Sequence, residues 1–369
     1  MKVVKKAVIC GGHLTPAIAV MECLLADGWQ LHYFGRLYSL SGEKIPSLES
    51  VTVSKYQAQF IPFSAGKLPR HFTWRILPEL LKIPIGFLTA LIQLNKIRPG
   101  IIISFGGFLA LPVSYAGKIL GIPVVTHEQT AVMGLANRLI GRFARLTYLS
   151  YEATGKVPAS AKVKVTGMPM RSSIVAANNT KFNRESLPML FITGGSQGSH
   201  SINRLIYPII RLLLNDFRII LQCGESNEGQ DFRLLVKLKN SLPAKISSRF
   251  RIVKTIDIDE TGSIFRDAAV VVGRSGANTV AELCYFRKKA VLIPLPWSAE
   301  MEQRENARFL EKAGMAIVLD QNKATPESLK AAIYRAAKSH LPEYSENSLQ
   351  LKFDPCAKKL VNILGQILN

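Results

Sequence analysis

Acidic residues are scarce in this chain. Asp and Glu number 26 against 47 Lys and Arg, giving a formal net charge of +21. An excess of that size points to an anionic partner: nucleic acid, an anionic membrane face or a phosphorylated substrate. Cysteine is also sparse. Cys10, Cys23, Cys223, Cys284 and Cys356 are too far apart for a zinc or redox motif, and an odd, scattered set excludes a disulfide framework and fits a reducing cytoplasm. Long apolar runs are missing too. The longest, residues 83–94, contains Pro84 and Gly86 and falls short of the roughly 20 residues that a spanning helix needs. The opening MKVVKKAVICGG runs into a strand and a glycine turn, so no cleavable leader is expected. No Gly-Lys-Ser/Thr closes a glycine loop, no triplet of spaced glycines suits NAD, and no Asp-x-Asp or His/Cys cluster suits a metal. Neither a metal nor a cofactor is therefore expected. Without an aromatic RNP pattern or a helix-turn-helix signal, nucleic acid is not the expected partner despite the charge.

What is present is a repeated rhythm. The 369 residues are 48% hydrophobic, enough for two sizeable cores. Apolar strand signals at 3–9, 30–34, 101–103, 123–125, 146–148 and 163–165 alternate with helical patterns. The polar stretch Ala176-Ala177-Asn178-Asn179-Thr180 interrupts them, and the series restarts at 189–192, 218–222, 250–254, 269–272, 290–293 and 316–319. Such alternation predicts mainly parallel sheets. The expected fold is α/β, with two Rossmann-like doubly wound domains facing each other across a cleft. The first domain is placed at 1–172 and the second at 173–345, and a closing helix over 346–369 is expected to pack back on the first.

Glycine turns follow several of these strands. The strand 269–272 feeds Gly273-Arg274-Ser275-Gly276 and then a helical run, 277–286. A helix start offers unpaired N–H groups and partial positive charge to a phosphate. Glu282, further along that helix, could accept hydrogen bonds from the hydroxyls of a ribose. Gly194-Gly195-Ser196-Gln197-Gly198 is a second such turn, with the Ser196 hydroxyl available to a phosphate. In the first domain, Cys10-Gly11-Gly12-His13 leads into a helix with Pro16 in its first turn. His13 there suits either a general base near neutral pH or a structural, capping histidine. Ser104-Phe105-Gly106-Gly107-Phe108 gives another glycine turn, and His127-Glu128-Gln129-Thr130 a polar cluster that either fixes its loop or touches substrate. Gln303 and Asn306 lie one helical turn apart. All these loops follow strand ends, where open α/β sheets bind ligands.

Residues 55–100 break the rhythm. Lys55, Lys67, Arg70, Arg75, Lys82, Lys96 and Arg98 stand against Glu79 alone, interleaved with Phe72, Trp74, Leu77, Leu80, Ile85 and Leu88. Basic residues among aromatics and leucines suit contact with an anionic membrane surface, expected over 63–98. A second basic amphipathic run, 137–145, is expected to extend that face.

Taken in order, these segments resemble the MurG family of peptidoglycan glycosyltransferases over essentially the whole chain. The family's GGTGGHxxPA is similar to Cys10-Gly11-Gly12-His13-Leu14-Thr15-Pro16-Ala17, GGY to Gly106-Gly107-Phe108, HEQN to His127-Glu128-Gln129-Thr130 and GNPVR to Gly167-Met168-Pro169-Met170-Arg171. GGSQGA resembles residues 194–199, RSGAxTVxE matches 274–282, and QxxNA matches 303–307. The resemblance implies a GT-B glycosyltransferase architecture and transfer of GlcNAc from UDP-GlcNAc, without a metal, to the C4 hydroxyl of the muramoyl sugar in lipid I, giving lipid II for peptidoglycan synthesis. It implies an inverting reaction at the cytoplasmic face of the bacterial cell membrane. It implies uracil at the backbone of Ile256, ribose at Glu282, and diphosphate at Ser196 and Ala277, Asn278 and Thr279, with Val280 and Ala281 in the same motif. Cys10, Gly11, Gly12, Thr130, Arg171 and Gln303 would also line the donor site. His13 would be the base, with Gly106, Gly107, His127 and Glu128 on the acceptor side.

Five positions depart from the family pattern. Val8 and Ile9 stand where two more glycines are usual, Thr130 and Met168 each replace an asparagine, and Trp297 falls where histidine is frequent. Thr130 keeps a hydroxyl but loses the paired donor and acceptor of an amide. These changes bear on acceptor geometry more than on UDP-sugar binding. A UDP-sugar transferase or epimerase with another acceptor is the alternative enzyme, and a nucleic-acid-binding or non-catalytic nucleotide-binding protein the alternative outside that class.

Overall fold

The computed structural model describes residues 5–38, 47–66, 77–180, 187–195, 197–225, 227–297, 301–341 and 351–368. The chain divides into two compact units, Met1–Ser172 with Gln350–Asn369, and Ser173–Leu349.

The first unit is built on seven parallel strands: β1 (Lys6–Cys10), β2 (Gln30–Gly35), β3 (Ala58–Pro62), β4 (Ile101–Ser104), β5 (Val124–Glu128), β6 (Leu146–Leu149) and β7 (Val163–Val165). They lie in the order β3-β2-β1-β4-β5-β6-β7. A short strand, β8 (Met168–Met170), follows. The second unit carries β9 (Met189–Thr193), β10 (Arg218–Gln222), β11 (Phe250–Val253), β12 (Ala268–Gly273), β13 (Lys289–Leu292) and β14 (Ala316–Val318), in the order β11-β10-β9-β12-β13-β14. Both sheets reverse direction of build between their first and fourth strands, the doubly wound order that leaves a crevice beyond those strand ends. The expected pair of doubly wound α/β domains is therefore what the chain forms.

The central strands are continuous apolar runs because helices cover both faces. Val8, Ile102, Val113 and Ala90 share one core with Leu94 and Leu109 in the first unit. Leu190, Ile219, Val272 and Val291 share another with Ile202, Leu213 and Ile333 in the second. Strand β3 lies within the stretch that the sequence marks by its charge. It pairs in parallel with β2 at the sheet edge, Tyr33 opposite Phe60.

The closing segment differs from the single helix expected over 346–369. Within its described part, a strand, β15 (Phe353–Pro355), pairs in parallel with β8 before the helix Lys358–Leu368 begins. Asp354 decides the break. Its two carboxylate oxygens accept from the backbone N–H groups of Lys359 and Leu360, both at 2.8 Å, which caps the helix start. Leu360 and Leu364 are buried, and the helix packs against Leu14–Ala26 of the first unit.

Candidate active site

In the second unit the sheet brings four loops to its C-terminal edge. Gly194 and Gly195 follow β9, Ile256 follows β11, Arg274-Ser275-Gly276 follows β12, and Leu295 follows β13. The helix Ala277–Tyr285 starts at Gly276, which supplies no side-chain cap. The first intrahelical bond runs from the Val280 N–H to the Gly276 carbonyl, at 3.0 Å. The N–H groups of Ala277, Asn278 and Thr279 precede that bond and carry the positive end of the helix dipole. Glu282 is buried on the same helix, and Val280 and Ala281 face the core. Ile256 is half-buried in the loop after β11.

Two neighbouring groups lock this loop. The Ser275 hydroxyl donates to the Gln303 carbonyl at 2.6 Å, and Asn306 Nδ2 donates back to the Ser275 carbonyl at 3.0 Å. Gln303 Oε1 accepts from the Leu295 N–H at 3.0 Å, which ties the helix Glu302–Lys312 to the loop after β13. Arg274 is buried. It donates through Nη1 to the Ile293 carbonyl at 2.8 Å and through Nη2 to the hydroxyls of Ser199, at 2.7 Å, and Ser201, at 3.2 Å. Burial pulls its guanidinium down to about 10, so a cation is held here at a cost in hydration. Ser196 lies outside the described residues.

In the first unit the loops after β1, β4 and β5 meet. The Gly12 N–H donates to the Gly106 carbonyl at 3.0 Å, and the Phe105 N–H to the Cys10 carbonyl at 2.8 Å. Gly11 sits at φ +137°, and a Cβ there would lie 2.8 Å from the Gly106 oxygen. Only glycine allows the two turns to touch. Cys10 is wholly buried, its thiol pushed up to about 12, so it contributes backbone and no reactive sulfur. His13 begins the helix Leu14–Ala26, and its side chain makes no capping bond. Instead its Nδ1 accepts from Gln129 Nε2 at 2.5 Å. Burial lowers the imidazole's affinity for a proton, and the Glu128 charge partly restores it.

Glu128 is almost fully enclosed. Oε1 accepts from the Thr130 N–H at 3.0 Å and the Thr130 hydroxyl at 2.7 Å, and Oε2 from the Gly134 N–H at 3.0 Å and Asn137 Nδ2 at 2.9 Å. With its four lone-pair sites occupied, it fixes the 128–137 loop. Thr130 is committed to the same network. Its hydroxyl also lies 2.7 Å from the Val132 carbonyl. His127 Nε2 lies 3.3 Å from the Gly167 carbonyl and 3.2 Å from the Ser150 hydroxyl. Burial pulls it down to about 4, so it is neutral at physiological pH. Arg171, just after β8, is also buried. Among the described residues, no group of three or more His, Cys, Asp or Glu side chains comes together that could hold a metal ion.

Comparison with known proteins fits this arrangement. The glycosyltransferase family 28 N-terminal domain matches residues 10–149 and the family 28 C-terminal domain residues 189–361. The UDP-N-acetylglucosamine–N-acetylmuramyl-(pentapeptide) pyrophosphoryl-undecaprenol N-acetylglucosamine transferase of Treponema denticola is 34% identical over 321 residues, 84% of this chain and 81% of that one. The enzyme of the same name from Legionella pneumophila (strain Paris) is 30% identical over 366 residues, 96% of this chain and 94% of that one. The chain belongs to glycosyltransferase family 28, and within it to the MurG family. The crystal structure of Acinetobacter baumannii MurG superposes with a TM-score of 0.68 at 24% identity, covering 98% of this chain and 99% of that one. The fold class is GT-B.

Three MurG-family departures have a structural reason. Val8 and Ile9, in place of glycines, are fully buried in β1, so the first turn begins later, at Gly11. Thr130, in place of asparagine, spends its hydroxyl on Glu128 and Val132. The sequence reading gives Gln129, Asn137 and Arg274 no individual role, although Gln129 and Arg274 lie in segments it singles out. Asn137 bridges Thr126, the His127 carbonyl and Glu128 from a run read only as a basic face. Local spacing does not reveal these individual roles, because each depends on a partner on another element.

Proposed function

We propose that this chain transfers N-acetylglucosamine from UDP-GlcNAc to the C4 hydroxyl of the muramoyl sugar of lipid I, with inversion, giving lipid II for peptidoglycan. The observation that carries this reading is the 274–282 segment. In a member of the MurG family, it sets an open helix N-terminus one and a half turns from a buried carboxylate. The N–H groups of Ala277, Asn278 and Thr279 suit the donor's diphosphate and Glu282 its ribose hydroxyls. Ser196 would add a hydroxyl to the diphosphate, Ile256 a backbone edge to the uracil, and Gln303 a side chain at the sugar. Cys10, Gly11, Gly12, Thr130 and Arg171 complete the donor-side assignment, and Gly106, Gly107, His127 and Glu128 shape the acceptor side.

The chemistry follows from these groups. His13 takes the proton of the C4 hydroxyl as its oxygen bonds to C1 of GlcNAc. The bond from C1 to the β-phosphate oxygen breaks on the opposite side, and UDP leaves with the electron pair. The dipole of the 277–285 helix stabilises the charge gathering on that diphosphate. The direct test is GlcNAc transfer from labelled UDP-GlcNAc to a lipid I analogue by the folded protein supplied with lipid. Absence of transfer, with UDP-GlcNAc still bound, sinks the assigned reaction.

The acceptor is lipid-linked, and the first unit has a surface suited to its membrane. On the helix Leu77–Ile97, Ile85, Leu88 and Ile92 are 62%, 56% and 67% exposed, and their spacing puts them on one face. The neighbouring helix Gly107–Ile119 adds exposed Tyr115 and Ile119, and Leu120 follows. Lys96, Arg98, Arg142 and Arg145 are exposed in the same unit, and Lys118 lies over the Phe143 ring at 5.0 Å. Residues 67–76, with Arg70, Phe72, Trp74 and Arg75, lie outside the described residues. No helix among the described residues is long and apolar enough to cross a membrane. The reading is peripheral binding to the anionic cytoplasmic face through about 63–98 and 137–145.

A further inference from the structure

The contact between His13 and Gln129 sets a condition on catalysis that the assignment of His13 as base leaves open. Gln129 is 3% exposed and brings its amide to 2.5 Å from His13 Nδ1. The two ends of that amide are not equivalent toward an imidazole. With Nε2 of Gln129 donating, Nδ1 is the acceptor, and the neutral ring carries its proton on its own Nε2. That nitrogen then has no lone pair to receive a substrate proton. The same arrangement leaves Gln129 Oε1 buried without a partner. A half-turn of the amide reverses the relation: Oε1 accepts from Nδ1–H, and the ring's Nε2 carries the lone pair. Only this second arrangement stays paired after proton uptake, since an imidazolium is a donor at both nitrogens.

We propose that Gln129 is the positioning residue that selects the tautomer of His13, and that turnover passes through the orientation in which its amide carbonyl faces Nδ1. The inference rests on the reading of His13 as base. Three elements meet at the turn that carries the ring. The loop after β4 contributes Phe105 and glycines, with no titrating side chain. The loop after β5 contributes Glu128, whose charge favours the imidazolium, and His127, whose interaction with His13 disfavours a second positive charge. The start of the Leu14–Ala26 helix adds the unfavourable end of its dipole. Among the described residues, the neutral amide of Gln129 is thus the contact that chooses between ring nitrogens without adding charge.

Two substitutions separate selection from mere packing. Gln129→Glu offers an acceptor in every orientation, so it locks the proton on Nδ1 and raises the imidazole's basicity. Gln129→Met keeps the length and removes the bond. Expected for Gln129→Met is a fall in kcat of roughly 10–100-fold, with KM for UDP-GlcNAc within about twofold of the parent protein. Expected for Gln129→Glu is retained turnover, with the acidic limb of the kcat profile moved to higher pH. The 15N signals of His13, assigned by their loss in His13→Ala, report the ring directly, and Gln129→Glu should show the proton on Nδ1. Parent-like kcat in Gln129→Met, or a Gln129→Glu protein as impaired as Gln129→Met, overturns the proposal. So does a Gln129→Glu ring protonated on Nε2 alone. Undiminished turnover in His13→Ala instead removes the base assignment, and the 15N signals then still decide whether Gln129 selects the tautomer.

Discussion

Two side chains carry most of what can be tested one residue at a time. Glu282 sits buried on the helix whose open start suits a diphosphate. If it bonds the ribose hydroxyls, Glu282→Ala weakens UDP binding by about 1–3 kcal/mol, as loss of hydrogen bonds to a charged group does. Calorimetric titration with UDP measures this, and an unchanged Kd takes Glu282 out of the site. His127 is a test of stability. Burial pulls it from 6.5 to about 4 in the folded protein, below its value in the unfolded chain. Below pH 6.5 the unfolded chain therefore binds more protons than the folded one. Stability falls with pH from there to about pH 4, by about 3 kcal/mol for this one group. The lowered His13 adds in the same direction. Urea unfolding of His127→Gln between pH 4.5 and 7 should show a shallower dependence than the parent chain. An equal slope means the imidazole already titrates freely when folded.

At the scale of elements, glycine turns decide how close two strand ends come. Gly198 sits at φ +78°, and a Cβ there would lie 2.0 Å from the Cys223 carbonyl oxygen. Gly224, bridged to it, sits at φ +72° and is as tightly confronted by the Gln197 carbonyl. Neither backbone can retreat without moving β9 against β10. Gly198→Ala should therefore cost at least about 2 kcal/mol, from the left-handed conformation and the clash together. A urea midpoint matching the parent protein counts against that contact. The spacing of GGSQG reveals the turn, but its order says nothing of Cys223 and Gly224 on the other side. Sequence pattern also reads the 277–285 helix and its glycine start closely. It does not find β3 or β15, because short edge strands lack the apolar run that marks a buried one.

For the molecule as a whole, the net charge of +21 and the exposed apolar row on the Leu77–Ile97 helix belong to one argument. On the proposed peripheral reading, charge would draw the protein to an anionic surface and apolar side chains would hold it there. Replacing Ile85, Leu88 and Ile92 together by Ser should reduce co-flotation with anionic vesicles severalfold. It should leave UDP binding intact, since all three are exposed and outside the core. High salt should weaken binding further by screening the basic residues. Flotation equal to that of the parent chain would move the membrane contact elsewhere.

The sequence by itself determined the two parallel α/β domains, the glycine turns at their strand ends and the family to which they belong. Those features rest on local spacing: apolar runs, helix starts and short motifs that read the same wherever they are placed. Only the tertiary structure decided which polar groups were left for chemistry. His127-Glu128-Gln129-Thr130 reads as four equal candidates in sequence. Folding commits Glu128 and Thr130 to one loop network, keeps His127 neutral in the interior and sets Gln129 against His13. Residues 13 and 129 are far apart in the chain, and they meet because β1, β4 and β5 lie side by side in one parallel sheet. Burial and partner choice are properties of that packing, which local spacing does not encode.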